Sequence, residues 1–152
     1  MTTERPRVLA VAVASRKIAY VLLIAGHLKD WRISRAGGMS APKGRSFLRK
    51  AIALHAPDLV VIENPHGPTR KYGTPLQILL AMAQDLDDSA TPHRLVTRVQ
   101  AYANKYDEAA ALVEQFPEIS PWQPKTRRFW DPEPTETIYF EALALAVAEL
   151  ET

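Results

Sequence analysis

Asp58-Leu59-Val60-Val61-Ile62-Glu63-Asn64, with Pro57 before it and Pro65 after it, is the stretch from which the fold of this chain is read. Residues 59–62 are apolar without a break and three of them are β-branched, the composition of a strand covered on both faces. The flanking prolines close it at either end. Such a strand belongs inside a sheet rather than at its rim. Glu63 stands where the apolar run stops, so its carboxylate is expected at the strand's C-terminal edge, where open α/β sheets gather their ligand sites.

The totals set the frame. A chain of 152 residues is long enough for one core and short for two, so residues 1–152 are read as a single domain. An apolar fraction of 47% and a charged fraction of 24% are those of a globular protein. The absence of cysteine excludes disulfides and thiolate metal sites and fits a cytoplasmic setting. The first residues, Met1-Thr2-Thr3-Glu4-Arg5, do not resemble a secretion signal. The apolar runs fall well short of the roughly 18 residues a bilayer span needs, so no membrane is expected. Net charge is only +2, and any case for nucleic acid must come from where the cations lie.

Outward from the opening stretch, residues 8–14 and 18–24 are β-rich runs separated by Ser15-Arg16-Lys17. A turn over 25–29 leads to a third, alternating run over 31–35. The pattern predicts an antiparallel meander with two central strands and one at an edge. Apolar residues at helical spacing over 46–56 predict an amphipathic helix that crosses to the Glu63 strand. A proline- and glycine-rich loop follows over 64–75, then a helix over 76–86, a strand over 94–99 and a helix over 106–116, whose early Asp107 and Glu108 suit its dipole. Residues 117–134 read as irregular, and 135–149 as a largely apolar helix capped by Thr135. The expected fold is α/β, a mixed five-stranded sheet flanked by helices.

Glu141 stands within Tyr139-Phe140-Glu141-Ala142-Leu143-Ala144-Leu145-Ala146, where an ionised carboxylate is costly unless paired, bound to a cation or open to a cleft. Two acids in apolar surroundings, Glu63 and Glu141, are candidates for one shared site, with two ordinary surface edges as the alternative.

The strand order, Val60-Val61-Ile62-Glu63 and the segment Phe140-Glu141-Ala142-Leu143-Ala144-Leu145-Ala146 resemble the ribonuclease H-like superfamily, in particular RuvC-type Holliday junction resolvases and their YqgF-like relatives. The resemblance covers nearly the whole chain. It implies a site in which a first-strand aspartate, a fourth-strand glutamate and acids on the last helix hold divalent metal for phosphodiester cleavage. Glu63 matches the strand glutamate and Glu141 the helix acid, so both are the residual catalytic and metal-binding candidates, with magnesium or manganese as the cofactor if the site functions and none otherwise. Two positions depart from the pattern. Ala12 stands where the first-strand aspartate is expected, and Thr137 and Ile138 stand one turn before Glu141. Without an oxygen at position 12, loss of nuclease chemistry is the expected result; Asp131, Glu133 or Glu136 folding back is the alternative.

Two basic, aromatic segments could hold a partner. His66, Arg70, Lys71 and Tyr72 lie in the loop after Glu63, where the resemblance implies contact with nucleic acid, phosphates to the cations and a base to Tyr72. Trp122-Gln123-Pro124-Lys125-Thr126-Arg127-Arg128-Phe129-Trp130 is either a stacking platform through Lys125, Arg127 and Arg128, an anchor for a protein partner, or a core cap in which the tryptophans turn inward. Arg16 and Lys17 at the first turn add cations. The histidines show no metal spacing, and phosphate-loop, dinucleotide and serine-hydrolase motifs are absent.

The reading is a RuvC-like protein that binds nucleic acid, DNA rather than RNA and branched or single-stranded, without cutting it. Its alternatives are an active magnesium- or manganese-dependent endonuclease resembling Holliday junction resolvases, and an assembly subunit that binds a protein through residues 122–130. The resemblance also implies a homodimer.

Overall fold

The structure, a computed structural model, describes residues 6–98, 105–124 and 137–150. Strands β1 (Arg7–Ala14), β2 (Lys17–Ile24) and β3 (His27–Ser34) form the meander. Helix α1 (Ala41–His55) leads to β4 (Leu59–Glu63), and α2 (Gly73–Asp87) to β5 (His93–Val96). Helices α3 (Lys105–Gln115) and α4 (Thr137–Leu150) complete the described chain.

The sheet order is β3-β2-β1-β4-β5, with β1 antiparallel to β2 and parallel to β4, and β4 parallel to β5. β4 is therefore interior, as its apolar run requires, and β3 takes the edge that its alternation foretells. Alternation of side chains splits the core in two. Leu9, Val11, Tyr20, Val60 and Ile62 pack with Leu48, Ile78 and Met82 of α1 and α2. Val8, Ala10, Ala12, Ala19 and Val61 pack with Phe140, Ala142, Leu143 and Ala146 of α4. On this second face, alanines on the strands meet alanines on the helix, and small side chains let α4 lie close to the sheet.

Several boundaries differ from those the sequence predicts, each for a local reason. The turn between β2 and β3 is only Ala25-Gly26, not 25–29, because both residues take positive φ, 52° and 81°, the geometry of a tight type I′ hairpin. His27, Leu28 and Lys29 consequently belong to β3. Helix α1 starts at Ala41 rather than 46: the Ser40 side chain accepts from the Lys43 amide at 3.4 Å, and Pro42 sits in the first turn, where a missing N–H costs nothing. Helix α2 likewise takes in Gly73, Thr74 and Pro75. β5 ends at Val96, short of 99. Residues 117–122 form a 3₁₀ turn inside the stretch read as irregular. The proposed cap Thr135 lies outside the described residues.

A second 3₁₀ turn, Ala36–Gly38, ties α1 to the first hairpin. A Cβ on Gly38 would collide with the Lys17 backbone, so only glycine permits this contact. It sets the start of α1 beside Arg16 and Lys17.

Candidate functional site

Because β1, β4 and β5 are parallel, their C-terminal ends share one edge of the sheet. Arg16 and Lys17 follow β1 there, the 64–72 loop follows β4, and Arg98 follows β5.

Glu63 has the parity of Val61 and so faces α4. It does not stand out from the edge as the sequence suggests, but is 4% exposed, the buried charged residue of the described core. Its carboxylate accepts a hydrogen bond from the Thr69 hydroxyl. The loop is shaped to deliver that hydroxyl. The Asn64 amide continues the strand by donating to the Val96 carbonyl at 2.8 Å, and Asn64 Oδ1 accepts from the His66 amide at 2.9 Å, a side-chain turn that folds the chain back. Thr69 Oγ1 in turn accepts from the Lys71 amide at 3.1 Å.

Lys71 then reaches α4. Its Nζ donates to Glu141 Oε1 at 3.0 Å, with both side chains mostly covered. Burial pushes the Glu141 carboxyl above the usual carboxylate range; Lys71 opposes this most, Arg98 adds to the opposition, and Glu63 works in the direction of burial. Three loop residues, 69–71, thus touch both acids, Thr69 on Glu63 and Lys71 on Glu141. Arg98 is itself held by Glu108 of α3 at 3.2 Å. Two oxygens on α4, Glu141 Oε2 and Thr137 Oγ1, are buried without a hydrogen-bond partner. They are one helical turn apart and so lie on one face.

Ala12 is 1% exposed and lies one residue beyond Val11, which pairs with Ile62, as Glu63 lies one beyond Ile62. The residue at the level of Glu63 on the neighbouring strand thus offers no side-chain oxygen. Among the described residues no group of three histidines, cysteines or acids could hold a metal ion. The magnesium or manganese implied by the resemblance meets a set that does not fit it: an alanine, a glutamate capped by a hydroxyl and a glutamate capped by an ammonium.

The remaining sequence candidates are spread around this centre. Arg16, Arg70 and Tyr72 are exposed, Tyr72 at 82%, and Lys17 is half-buried. Trp122 turns inward, edge-on to Trp31 at 5.4 Å and to Tyr139 at 6.3 Å, which is the core-cap arrangement rather than an open platform. Lys125, Arg127, Arg128 and Trp130 lie outside the described residues, as do Asp131, Glu133 and Glu136. Thr69 is a site residue that the sequence reading does not single out. Its only signal is a hydroxyl just ahead of the Arg70-Lys71 pair in a loop built of turns. No described helix is long and apolar enough to cross a membrane.

A scan against protein-family models gives no match, and a comparison with curated proteins gives none. Among solved structures, the chain is similar to Thermus thermophilus RuvC in complex with a Holliday junction substrate, at 13% identity over 95% of this chain and 92% of that one, with a TM-score of 0.63. A second T. thermophilus RuvC structure matches at 12% identity over 96% and 97%, with a TM-score of 0.60. Fowlpox virus resolvase in complex with Holliday junction DNA matches at 11% identity over 95% and 97%, with a TM-score of 0.56. At these identities the likeness is one of fold. The chain has the ribonuclease H-like fold of RuvC-type resolvases, as its strand order and two acidic segments suggest.

Proposed function

We propose that this chain, built on the resolvase fold, binds nucleic acid without cutting it, with branched or single-stranded DNA as its substrate. One observation carries the reading. Exposed Arg16, Arg70 and Tyr72 surround an edge whose acids are closed by Thr69 and Lys71 and whose first strand carries Ala12 in place of an acid. The cations suit phosphates and the open tyrosine ring suits a base. Two similar structures are complexes with a Holliday junction, which supports the choice of DNA.

Fluorescence anisotropy with a four-way junction, a single strand and a plain duplex tests it. If roughly three phosphates are neutralised, affinity falls about 40-fold between about 50 and about 200 mM salt. Arg16→Ala and Arg70→Ala each weaken binding several-fold, and no junction strand is cut with Mn²⁺ present. Binding indifferent to salt and to both substitutions would overturn the proposal.

A second reading, an active magnesium- or manganese-dependent endonuclease, is favoured by the unpartnered Glu141 Oε2 and Thr137 Oγ1. It needs Lys71 to leave Glu141 and a third acid to join Glu63 and Glu141. Junction cleavage abolished by Glu63→Gln would establish it.

A further inference from the structure

Two carboxylates, Glu63 and Glu141, are spanned by one loop on the α4 side of the sheet, where Glu63 disfavours the charge of Glu141. An arrangement of this kind needs a cation. In this chain one is built in. Three consecutive loop residues span both acids: the Thr69 hydroxyl on Glu63, the Lys71 amide back to Thr69 at 3.1 Å, and the Lys71 ammonium on Glu141 at 3.0 Å. Arg98 adds positive charge from the end of β5. Ala12 contributes no charge, so two carboxylates face two cations, one of them shared with Glu108.

A divalent ion at the same oxygens would have to displace the ammonium from Glu141 and the hydroxyl from Glu63, and would then sit beside the displaced ammonium. Lysine at 71 and alanine at 12 thus belong together: one unit of positive charge fewer than a divalent ion, and one carboxylate fewer to balance.

We infer that Lys71 is the resident cation of this site. Its ammonium, tethered by the 64–72 loop, takes the part a divalent ion would take between the carboxylates, and it holds loop and α4 together without bound metal. The inference concerns how the site is neutralised and does not depend on the nucleic-acid reading.

The test is the thermal midpoint of the full chain, freed of metal by a chelator and titrated with MnCl₂, for wild type, Lys71→Met and Lys71→Met/Glu141→Gln. The wild-type midpoint is expected to show no saturable change. Lys71→Met is expected to melt roughly 5–10 °C lower, because a buried carboxylate loses its partner, and to recover most of that loss as Mn²⁺ saturates. The double variant recovers none. A saturable rise in wild type that Glu63→Gln abolishes overturns the inference. So does a Lys71→Met chain as stable as wild type, or one whose loss Mn²⁺ leaves unchanged. If Lys71→Met does not fold in either condition, the wild-type titration decides: indifference to Mn²⁺ supports the inference and a saturable rise overturns it. DNA affinity is not read in this experiment, so failure here leaves binding standing, and a chain that binds no DNA leaves the role of Lys71 standing.

Discussion

Tyr20 is 2% exposed, and its hydroxyl must find partners inside the α1 face of the sheet. It donates to Asp30 Oδ2 at 2.8 Å, and His55 Nε2 lies 2.9 Å from the hydroxyl and 3.0 Å from the same carboxylate oxygen. The tyrosine has one proton to give and gives it to Asp30, so in its contact with the Tyr20 hydroxyl His55 Nε2 is the donor. Burial first, and the hydrogen bond to Asp30 second, push Tyr20 up to about 12. The native state then keeps a proton that the unfolded chain releases near pH 10. Tyr20's contribution is full below about pH 10 and is lost as pH rises toward about 12, a decline on the order of a few kcal/mol at most. Denaturant midpoints of wild type and Tyr20→Phe, measured at intervals across that window, should converge as pH rises; a constant gap would contradict the assignment. The acidic site contrasts with this cluster in how much of it sequence can reveal. Glu63 and Glu141 are legible because each interrupts an apolar run. The closure of Glu141 by Lys71 is not, since the ion pair joins residues 70 apart and no local pattern encodes it.

Helix α1 shows how local chemistry fixes an element's ends. Ser40 and Pro42 begin it, and Ala56 ends it at φ 45° and ψ 58°, its amide donating to the Ile52 carbonyl at 2.8 Å. A left-handed residue at that position is ordinarily glycine, because a Cβ there is strained. Ala56→Gly is therefore expected to stabilise the fold by about 1 kcal/mol, relief of strain outweighing the added freedom of the unfolded chain. Urea denaturation would read it as a higher midpoint at unchanged slope, and a lower midpoint would show that the helix end tolerates alanine without strain. The same element explains where boundaries escape a reading of sequence. Pro42, Gly44, Gly73 and Pro75 look like breaks, yet proline in a first turn suits a helix, and Gly44 sits where α1 packs against Ile78 of α2. β4, by contrast, is legible to within one residue, because a strand covered on both faces must be apolar at every position. Asp58 falls just outside it, its carboxylate accepting from the Arg7 amide at 2.7 Å where β1 begins.

At the scale of the whole molecule, topology does what total charge does not. A net charge of +2 says little about partners, but parallel β1, β4 and β5 bring Arg16, Lys17, Arg70, Lys71 and Arg98 to one edge from three separate places in the sequence. Two of them turn inward on acids, Lys71 to Glu141 and Arg98 to Glu108, while Arg16 and Arg70 are exposed. The strand pattern made the sheet legible; this division of cations between site and surface rests on side-chain contacts across the tertiary fold.

The seam of alanines between the sheet and α4 also bears on the order in which a ribosome delivers the parts. β1 leads the described chain and α4 ends it, yet α4 is what covers Val8, Ala10, Val21 and Val61. Until that helix emerges, a nascent chain holds one whole face of its sheet bare to solvent. A chain stopped before residue 137 is expected to bind hydrophobic dye strongly and to self-associate, its meander formed but unsealed. A soluble, dye-silent monomer from the same truncation would mean that another segment can shield the sheet. The last of the described elements to be delivered is thus the one that seals the sheet.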